Sequence, residues 1–317
     1  MQKTLSRKIT VSLLVLAIFG FFYFFRETSF QGYISNASNA KRAGDEGVAL
    51  ENLIFASSLD EQGRDAEIVI KRAELLYGRG DYTAAEQELA RPLESGRGTS
   101  ALNGWMGRVK YAQGDYSSAE KYFSQAFKMD PTAKSAVERA GNLVRGGKFT
   151  EAETALQTAQ QRISSEDVVY YLGLVRLDEG KYSTEDFASI RNGKYASEIA
   201  IIEEYIFHAG DDVRADSDYG LVKSAELFRK LGEEEFAFAN LDIVLSRSNK
   251  YRDAYLVSGK TFAAAHDYVS AKEAFEKCLE LDVDNIEAVF YLGKLYEAAG
   301  DREKAEEFAI RYEKLVK

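Results

Sequence analysis

Hydrophobic residues follow two different patterns along this chain. Near the N-terminus, Ile9–Phe25 is an unbroken apolar run without a charged side chain. Beyond it, small and bulky apolar residues recur at regular intervals, as they do along helices that bury one face. Proline occurs only as Pro92 and Pro131, so long stretches are free to remain helical. The pattern predicts an all-α chain preceded by one continuous apolar helix.

The apolar run predicts a transmembrane helix. Its 17 residues span about 25 Å at about 1.5 Å per residue, slightly less than a hydrocarbon layer of about 30 Å. The flanking Lys8 and Arg26 can reach outward and make up the difference. Because Lys3, Arg7 and Lys8 precede the run, the positive-inside rule predicts a cytoplasmic N-terminus and an exported remainder.

A cleaved signal peptide is the alternative to an uncleaved anchor. Cleavage requires small residues soon after the apolar run, but the charged and bulky segment 26–30 follows it. The nearest small-x-small sites end at Ala37 and Ala40. An uncleaved anchor is therefore the preferred prediction, while cleavage and a buried soluble helix remain open alternatives.

A turn signal recurs from Gly44 onward, with a glycine (once a histidine) followed by a polar residue. The intervals between successive turns are 36, 34, 33, 33, 52, 34 and 34 residues. Such a period is typical of helix–turn–helix units that stack on their neighbours. The turns begin at Gly44, Gly80, Gly114, Gly147, Gly180, Gly232, His266 and Gly300.

Small residues flank these turns at constant distances. One lies seven residues before each turn, and an alanine lies five residues after most of them, where two helix axes come closest. A bulky residue follows four positions later and is predicted to pack against the next unit. The three sets are Ala37, Ala73, Gly107, Ala140, Gly173, Ala225, Gly259 and Gly293; Ala49, Ala85, Ala119, Ala152, Ala237, Ala271 and Ala305; and Leu53, Leu89, Phe123, Leu156, Leu241 and Phe275.

These positions resemble the tetratricopeptide repeat family, in which small residues, Gly-Asp-Tyr, Ala, Phe and Pro recur over about 34 residues. The best matching segments are Asn103–Pro131, Tyr255–Leu281 and Val289–Ala305, and the resemblance covers residues 30–317. It implies an all-α, tetratricopeptide-type α-solenoid of about eight helix–turn–helix units, here preceded by one transmembrane helix. Because the shared positions are packing positions, the resemblance specifies the fold and not the ligand.

The interval of 52 residues between Gly180 and Gly232 interrupts the period. Residues 183–186 have the pattern of a helix N-terminus, and a further helix is predicted from Tyr195 to Phe207. This insertion either only shifts the superhelix pitch or serves as a docking element or hinge. The predicted organisation is a cytoplasmic N-terminus at 1–8, an anchor at 9–25, an N-terminal array at 30–182, an irregular helical insertion at 183–217 and a C-terminal array at 218–317.

Charge and residue content exclude several functions. The net charge is −10, and residues 1–26 contribute +4, which leaves −14 for the remainder and argues against nucleic-acid binding. The single Cys278, predicted to be buried, excludes an intrachain disulfide and a cysteine-based metal site. His208 and His266 are too few for a zinc cluster. Neither a metal nor a cofactor is expected.

No candidate active site emerges from the sequence. Acidic runs such as 233–235 and 306–307 are interpreted as solvated helix faces rather than as acid–base couples. No nucleophile, base and orienting group can be combined into one site, so the chain is predicted not to be an enzyme.

The family resemblance implies a protein-binding surface. In tetratricopeptide repeats the first helix of each unit lines the concave side, although several of the same side chains could instead brace adjacent helices. The implied ligand is an extended or helical protein segment with apolar and some acidic residues. The predicted binding residues are Trp105, Arg108, Tyr111, Lys134, Arg145, Tyr170, Tyr171, Lys260, Phe290, Tyr291 and Lys294.

Three functions remain compatible with these features. The preferred one is a membrane-anchored scaffold on the outer face of a bacterial-type cytoplasmic membrane, where it assembles a cell-envelope complex from other proteins. The alternatives are a non-catalytic regulatory subunit of an envelope polysaccharide or peptidoglycan enzyme, and an import receptor on an organelle membrane. The family's carboxylate-gripping mode uses asparagines, and their absence from those positions counts against the import receptor.

Overall fold

The computed structural model describes residues 28–59, 66–181, 183–209 and 217–317. These ranges are helical and contain no strand, which confirms the predicted all-α fold for the described part of the chain. The predicted anchor, residues 9–25, lies outside them. Among the described helices, none is both long and apolar enough to cross a membrane.

The helices are numbered in chain order and fall into two compact units that divide between Asp130 and Pro131. Unit 1 contains α1 (28–42), α2 (Glu46–Leu59), α3 (Ala66–Gly78), α4 (Tyr82–Glu94), α5 (Ser100–Ala112) and α6 (Tyr116–Met129). Unit 2 contains α7 (Ala133–Arg145), α8 (Phe149–Gln160), α9 (Glu166–Asp178), a 3-10 turn (Thr184–Phe187), α10 (Ala196–Ala209), α11 (Asp218–Leu231), α12 (Glu234–Arg247), α13 (Arg252–Ala264), α14 (Tyr268–Leu281), α15 (Ile286–Ala298) and α16 (Arg302–Leu315).

Successive helices pair as hairpins, as the repeat predicts. In unit 1, α3 pairs with α4 and α5 with α6, while Ala37 of α1 packs with Ala49 and Leu53 of α2. In unit 2, α7 pairs with α8, α11 with α12, α13 with α14 and α15 with α16. Within a hairpin the small residue of the first helix meets the partner helix, and a bulky residue such as Phe275 also packs against the next hairpin.

Every predicted turn residue has a left-handed backbone. The seven turn glycines have φ between 68° and 78°, and His266 has φ of 61°. Two backbone hydrogen bonds of 2.9 Å close the C-terminal end of α3. Gly80 N donates one to Tyr77 O, and Asp81 N donates the other to Leu76 O. The Asp81 side chain then accepts a hydrogen bond of 3.0 Å from Ala84 N and begins α4. The Gly-Asp pair therefore ends one helix and starts the next.

The small residues before the turns permit a very close helix approach. A Cβ atom on Gly107 would lie 2.8 Å from the ring of Phe123, and one on Gly259 would lie 2.6 Å from the ring of Phe275. The alanines after the turns have no exposed surface from Ala49 to Ala271, and only Ala305 in α16 is partly exposed. The predicted positions of the small residues are confirmed, but Phe123 and Phe275, predicted to pack against the next unit, also fill the space over the glycine of their own hairpin.

The long interval contains a short turn and one extra helix. Ser183 and Asp186 form a reciprocal N-terminal cap, as predicted, but the cap opens a single 3-10 turn instead of an α-helix. The ring of Phe187 in that turn covers Gly173, whose added Cβ would lie 2.4 Å away. The predicted helix from Tyr195 to Phe207 corresponds to α10, Ala196–Ala209.

Two glycines of α5 provide a matched test of this packing. We expect Gly107→Ala to lower the free energy of unfolding by about 1–3 kcal/mol, because the new methyl group overlaps the Phe123 ring. Gly104→Ala should instead leave stability unchanged or raise it by up to about 1 kcal/mol, since nothing lies within 4 Å of its Cβ and alanine favours the helix. Urea unfolding followed by the fluorescence of Trp105, the one tryptophan of the chain, measures both effects. Equal stability of the two variants would contradict the close approach.

Candidate protein-binding surfaces

In both units, first helices of successive hairpins lie against one another. In unit 1, α3 contacts α5, and in unit 2, α7 contacts α9 and α11 contacts α13. Successive second helices make few or no contacts within the described residues. Helices that approach one another more closely on one side make that side concave, so the first helices line the inner surface of each unit.

In unit 1, the predicted binding residues Trp105 and Arg108 lie together on α5, and Tyr111 lies in the last turn of the same helix. The Arg108 guanidinium stands 4.5 Å from the centre of the Trp105 ring, a cation–π distance. Trp105 in turn contacts the edge of Tyr77 in α3, with ring centres 5.9 Å apart. Tyr111 packs on Tyr116 at 5.5 Å. All three predicted residues are half-buried, so each braces a neighbouring ring and still presents surface.

A cavity of about 370 Å³ lies between α1 and α3 of the same unit. Its floor is apolar and fully buried, and its rim carries three cations and one carboxylate. Lys41 pairs with Glu74 at 2.9 Å, while Lys71 pairs outside the rim with Glu67 at 3.3 Å. The floor consists of Ala37, Leu53 and Leu75, and the charged rim of Lys41, Arg42, Lys71 and Glu74.

The rim residues are absent from the sequence-predicted site, although a signal for them exists. Lys71 lies two positions before the buried Ala73, as Trp105 lies two positions before Gly107, so the same register identifies both as inner-surface residues. The rim has a net charge of +2, from three cations and one carboxylate, in a chain of net charge −10.

In unit 2, the inner surface of α7 and α9 is covered by α12 of the same chain. Arg145 of α7 forms an ion pair with Asp242 and stands 5.5 Å from the centre of the Phe238 ring. Asn240 donates a hydrogen bond of 2.7 Å to Asp178 at the end of α9. The predicted binding residue Arg145 is therefore engaged by a helix about 97 residues later in the sequence.

Tyr170 and Tyr171 are also engaged within unit 2. Tyr170 has no exposed surface, and its ring stacks in parallel on Tyr195 with centres 3.9 Å apart. The expectation that Tyr170 lines an accessible groove is wrong, because the insertion encloses it. The Tyr171 ring lies 6.4 Å from Phe236 of α12, and its hydroxyl donates a hydrogen bond to the Glu233 carboxylate.

Three carboxyl groups are enclosed where α12 meets α7 and α9. Glu233 is only 8% exposed, so the interpretation of 233–235 as a solvated face is wrong for this residue. Burial raises the pKa of Glu233 to about 7, and the hydrogen bond from Tyr171 offsets the effect only in part. Burial likewise raises the pKa of Asp178 to about 7, and it raises the pKa of Glu235 above its ordinary value.

The other predicted residues of unit 2 lie apart from this contact. Lys260 is mostly buried and pairs with Glu287 at 2.5 Å, and Tyr291 stacks on Phe275 at 5.2 Å, so both brace neighbouring helices. Phe290 and Lys294 line a cavity of about 800 Å³ between α15 and α16. Lys134 is exposed on α7.

The described residues hold no arrangement for metal chemistry. No group of three or more His, Cys, Asp and Glu side chains among them is placed to hold a metal ion. Cys278 is fully buried, as predicted, and burial raises the pKa of its thiol to about 11, so it is not a thiolate at neutral pH. The exposed His266 hydrogen bonds with the Tyr268 hydroxyl at 3.0 Å.

Comparison with known proteins identifies the repeats. Tetratricopeptide repeat models match residues 106–168 and 262–314, so repeats of this type are present in those segments. No curated protein sequence matches the chain.

Several solved structures have a similar arrangement of helices. A tetratricopeptide repeat protein from Parabacteroides merdae is 14% identical, with a TM-score of 0.48, covering 84% of this chain and 98% of its own. YrrB, a TPR protein with an unusual peptide-binding site, is 16% identical, with a TM-score of 0.31 and coverage of 75% and 96%. The TPR2AB domain of yeast Sti1 is 17% identical, with a TM-score of 0.34 and coverage of 92% and 100%. These likenesses concern the fold alone.

Two substitutions at Tyr170 distinguish a core residue from a binding residue. The hydroxyl group is buried and has no hydrogen-bond partner among the described residues. Tyr170→Phe should therefore raise the free energy of unfolding by about 1 kcal/mol, because an unsatisfied polar group is removed. Tyr170→Ala should lower it by about 3–5 kcal/mol through cavity formation. Thermal unfolding followed by circular dichroism measures both, and a neutral Tyr170→Ala variant would contradict the assignment to the core.

Proposed function

We propose that this protein is a membrane-anchored, non-enzymatic scaffold that captures a segment of another protein on the inner surface of unit 1. Tetratricopeptide repeats imply protein–protein interaction, and two segments of the chain match them. The observation that carries the proposal is the open cavity of unit 1 with its cationic rim. The inner surface of α7 and α9 is covered by α12, while the cavity between α1 and α3 is open and carries a positive rim.

The chemistry of this surface defines the segment it would bind. The buried floor of Ala37, Leu53 and Leu75 favours an apolar side chain, and the cationic rim favours carboxylates beside it. Trp105 and Arg108 extend the surface with residue types that frequently dominate binding energy. The proposed ligand is therefore an acidic protein segment with at least one large apolar side chain.

The membrane location is proposed from the sequence. The uncharged run at 9–25 has the length and composition of an anchor, and three positive charges precede it. The repeats would then stand outside a bacterial-type cytoplasmic membrane and bind a component of a cell-envelope complex. Only two residues separate the run from the helical residues 28–42, so unit 1 would lie close to the membrane surface.

Charge reversal of the rim tests the binding surface. A benzophenone amino acid at Ser38, which lines the cavity, should crosslink a partner in native membranes, and mass spectrometry identifies that partner. The triple change Lys41→Glu, Arg42→Glu and Lys71→Glu should reduce the yield of this crosslink about tenfold or more, because the carboxylates of the partner would meet like charges.

A matched control lies on the outer helix α6. Lys121→Glu and Lys128→Glu also reverse exposed cations of unit 1 and should leave the crosslink yield unchanged, while helicity stays the same in both variants. A benzophenone at position 121 should not capture the same partner. Equal capture from position 121, or full capture by the rim variant, would place the binding surface elsewhere.

Membrane fractionation tests the proposed anchor and its orientation. The full chain should remain with the membranes after a carbonate wash, and deletion of residues 1–27 should release it. Protease added to spheroplasts should degrade the repeats of the full chain, and replacing Lys3, Arg7 and Lys8 with neutral residues should reduce that degradation by weakening the orientation signal. Complete protection of the unaltered protein would refute export, whereas release by the wash would refute the anchor.

A further inference from the structure

The contact of α12 with α7 and α9 combines recognition features with buried carboxyl groups. An ion pair joins Arg145 to Asp242, a hydrogen bond of 2.7 Å joins Asn240 to Asp178, and the Phe236 ring lies against Tyr171. Phe236 and Asn240 are fully buried. One helix thus buries an aromatic and an amide side chain against two others and pairs an exposed carboxylate with their arginine.

Glu233 gives this contact an unusual feature. In five other turns the residue after the glycine or histidine is an aspartate at the N-terminus of the next helix, as Asp81 is for α4. At the start of α12 the longer Glu233 makes no side-chain cap, and its carboxylate instead meets Tyr171 of α9. The residue therefore gives up a local cap and contributes to a distant contact.

We propose that the inner surface of α7 and α9 is a helix-binding surface whose resident ligand is α12, and that ionisation of Asp178 and Glu233 loosens α12 from it. Carboxyl groups outnumber cations where these helices meet, so ionised acids repel one another there. Arg145 of α7, which faces α12, is already paired with Asp242. The facing groups are Arg145 on α7; Tyr171, Asp178 and Glu179 at α9, the last paired with Lys181 at 3.0 Å; Glu198 on α10; and Glu233, Glu234, Glu235 and Asp242 at α12.

The direction of the pH effect follows from the buried state. Burial raises the pKa of Asp178 and of Glu233 to about 7, from ordinary values near 4. A carboxyl group whose pKa is raised stabilises the buried state most when it is protonated. The contact therefore loses stability as the pH rises from the ordinary pKa to the raised pKa. The contact should be tight near pH 5 and weaker near pH 7.5, a direction opposite to that of a contact built on salt bridges.

Hydrogen–deuterium exchange of the full chain tests the proposal. After correction for intrinsic exchange rates, protection of α9 and α12 should fall at least about tenfold between about pH 5 and about pH 7.5, while α5 of unit 1 changes little. The double variant Asp178→Asn, Glu233→Gln should keep protection high at both pH values. Its amides retain oxygen acceptors for Asn240 and Tyr171 but cannot ionise.

A control variant removes charge without touching this contact. Glu306→Gln with Glu307→Gln changes two exposed carboxylates of α16 and should keep the pH dependence of the unaltered protein. If the double variant fails to fold, the single variants Asp178→Asn and Glu233→Gln should each remove about half of the logarithmic pH dependence. Protection of α12 that is independent of pH in the unaltered protein, or equally pH-dependent in the neutralised variants, would overturn the proposal.

Discussion

The repeats depend on one steric constraint, the approach of two helices at a point where no side chain beyond a methyl group fits. At Gly107 and Gly259 the space is filled by an aromatic ring from the partner helix, Phe123 and Phe275 respectively, 16 residues later in each case. Both rings are essentially fully buried, and burial of a phenylalanine side chain stabilises by about 1.5–3 kcal/mol. The glycine sets the helix distance, and the ring makes the short distance favourable.

The same constraint explains how the long interval departs from the repeat. Gly173 also requires a covering ring, but it receives Phe187, only 14 residues later, from a 3-10 turn. Once this ring is in place, no full second helix is needed beside α9. The chain continues instead into α10, whose preceding residue Tyr195 stacks on Tyr170. The next hairpin then brings α12 onto the inner surface of α7 and α9, where a regular array would leave that surface open.

Contacts between adjacent hairpins could be predicted from the sequence, whereas contacts between residues far apart in the chain could not. The turn glycines, the small residues and the covering rings depend on local helix geometry and on adjacent hairpins, so a regular period reveals them. The pairing of Arg145 with Asp242 joins positions that no period relates, and the triplet 233–235 has the composition of an ordinary solvated face. One local sign does exist, since Glu233 replaces the capping aspartate found after most turns.

The predicted binding residues also differ in whether the repeat register predicts their surroundings correctly. Trp105 and Arg108 lie where the register places them, because α5 is flanked by regular hairpins. Tyr170 occupies the corresponding part of α9, yet it belongs to the core, because the stacking ring of Tyr195 comes from the irregular insertion. The register therefore fails at Tyr170 because an irregular element packs on it.

The α12 contact also bears on what the open surface of unit 1 would recognise. Against α7 and α9, the chain places phenylalanines and carboxylates opposite an arginine and a tyrosine. The inner surface of unit 1 presents the same partners, Arg108 with Trp105 and Tyr77, beside a cationic rim. Because the unit 1 surface carries no buried carboxyl groups in its cavity floor, its attraction for an acidic segment should persist at neutral pH, where the α12 contact weakens. Both inner surfaces would thus favour a segment with aromatic and acidic side chains, the surface of α7 and α9 at acidic pH and the surface of unit 1 also at neutral pH.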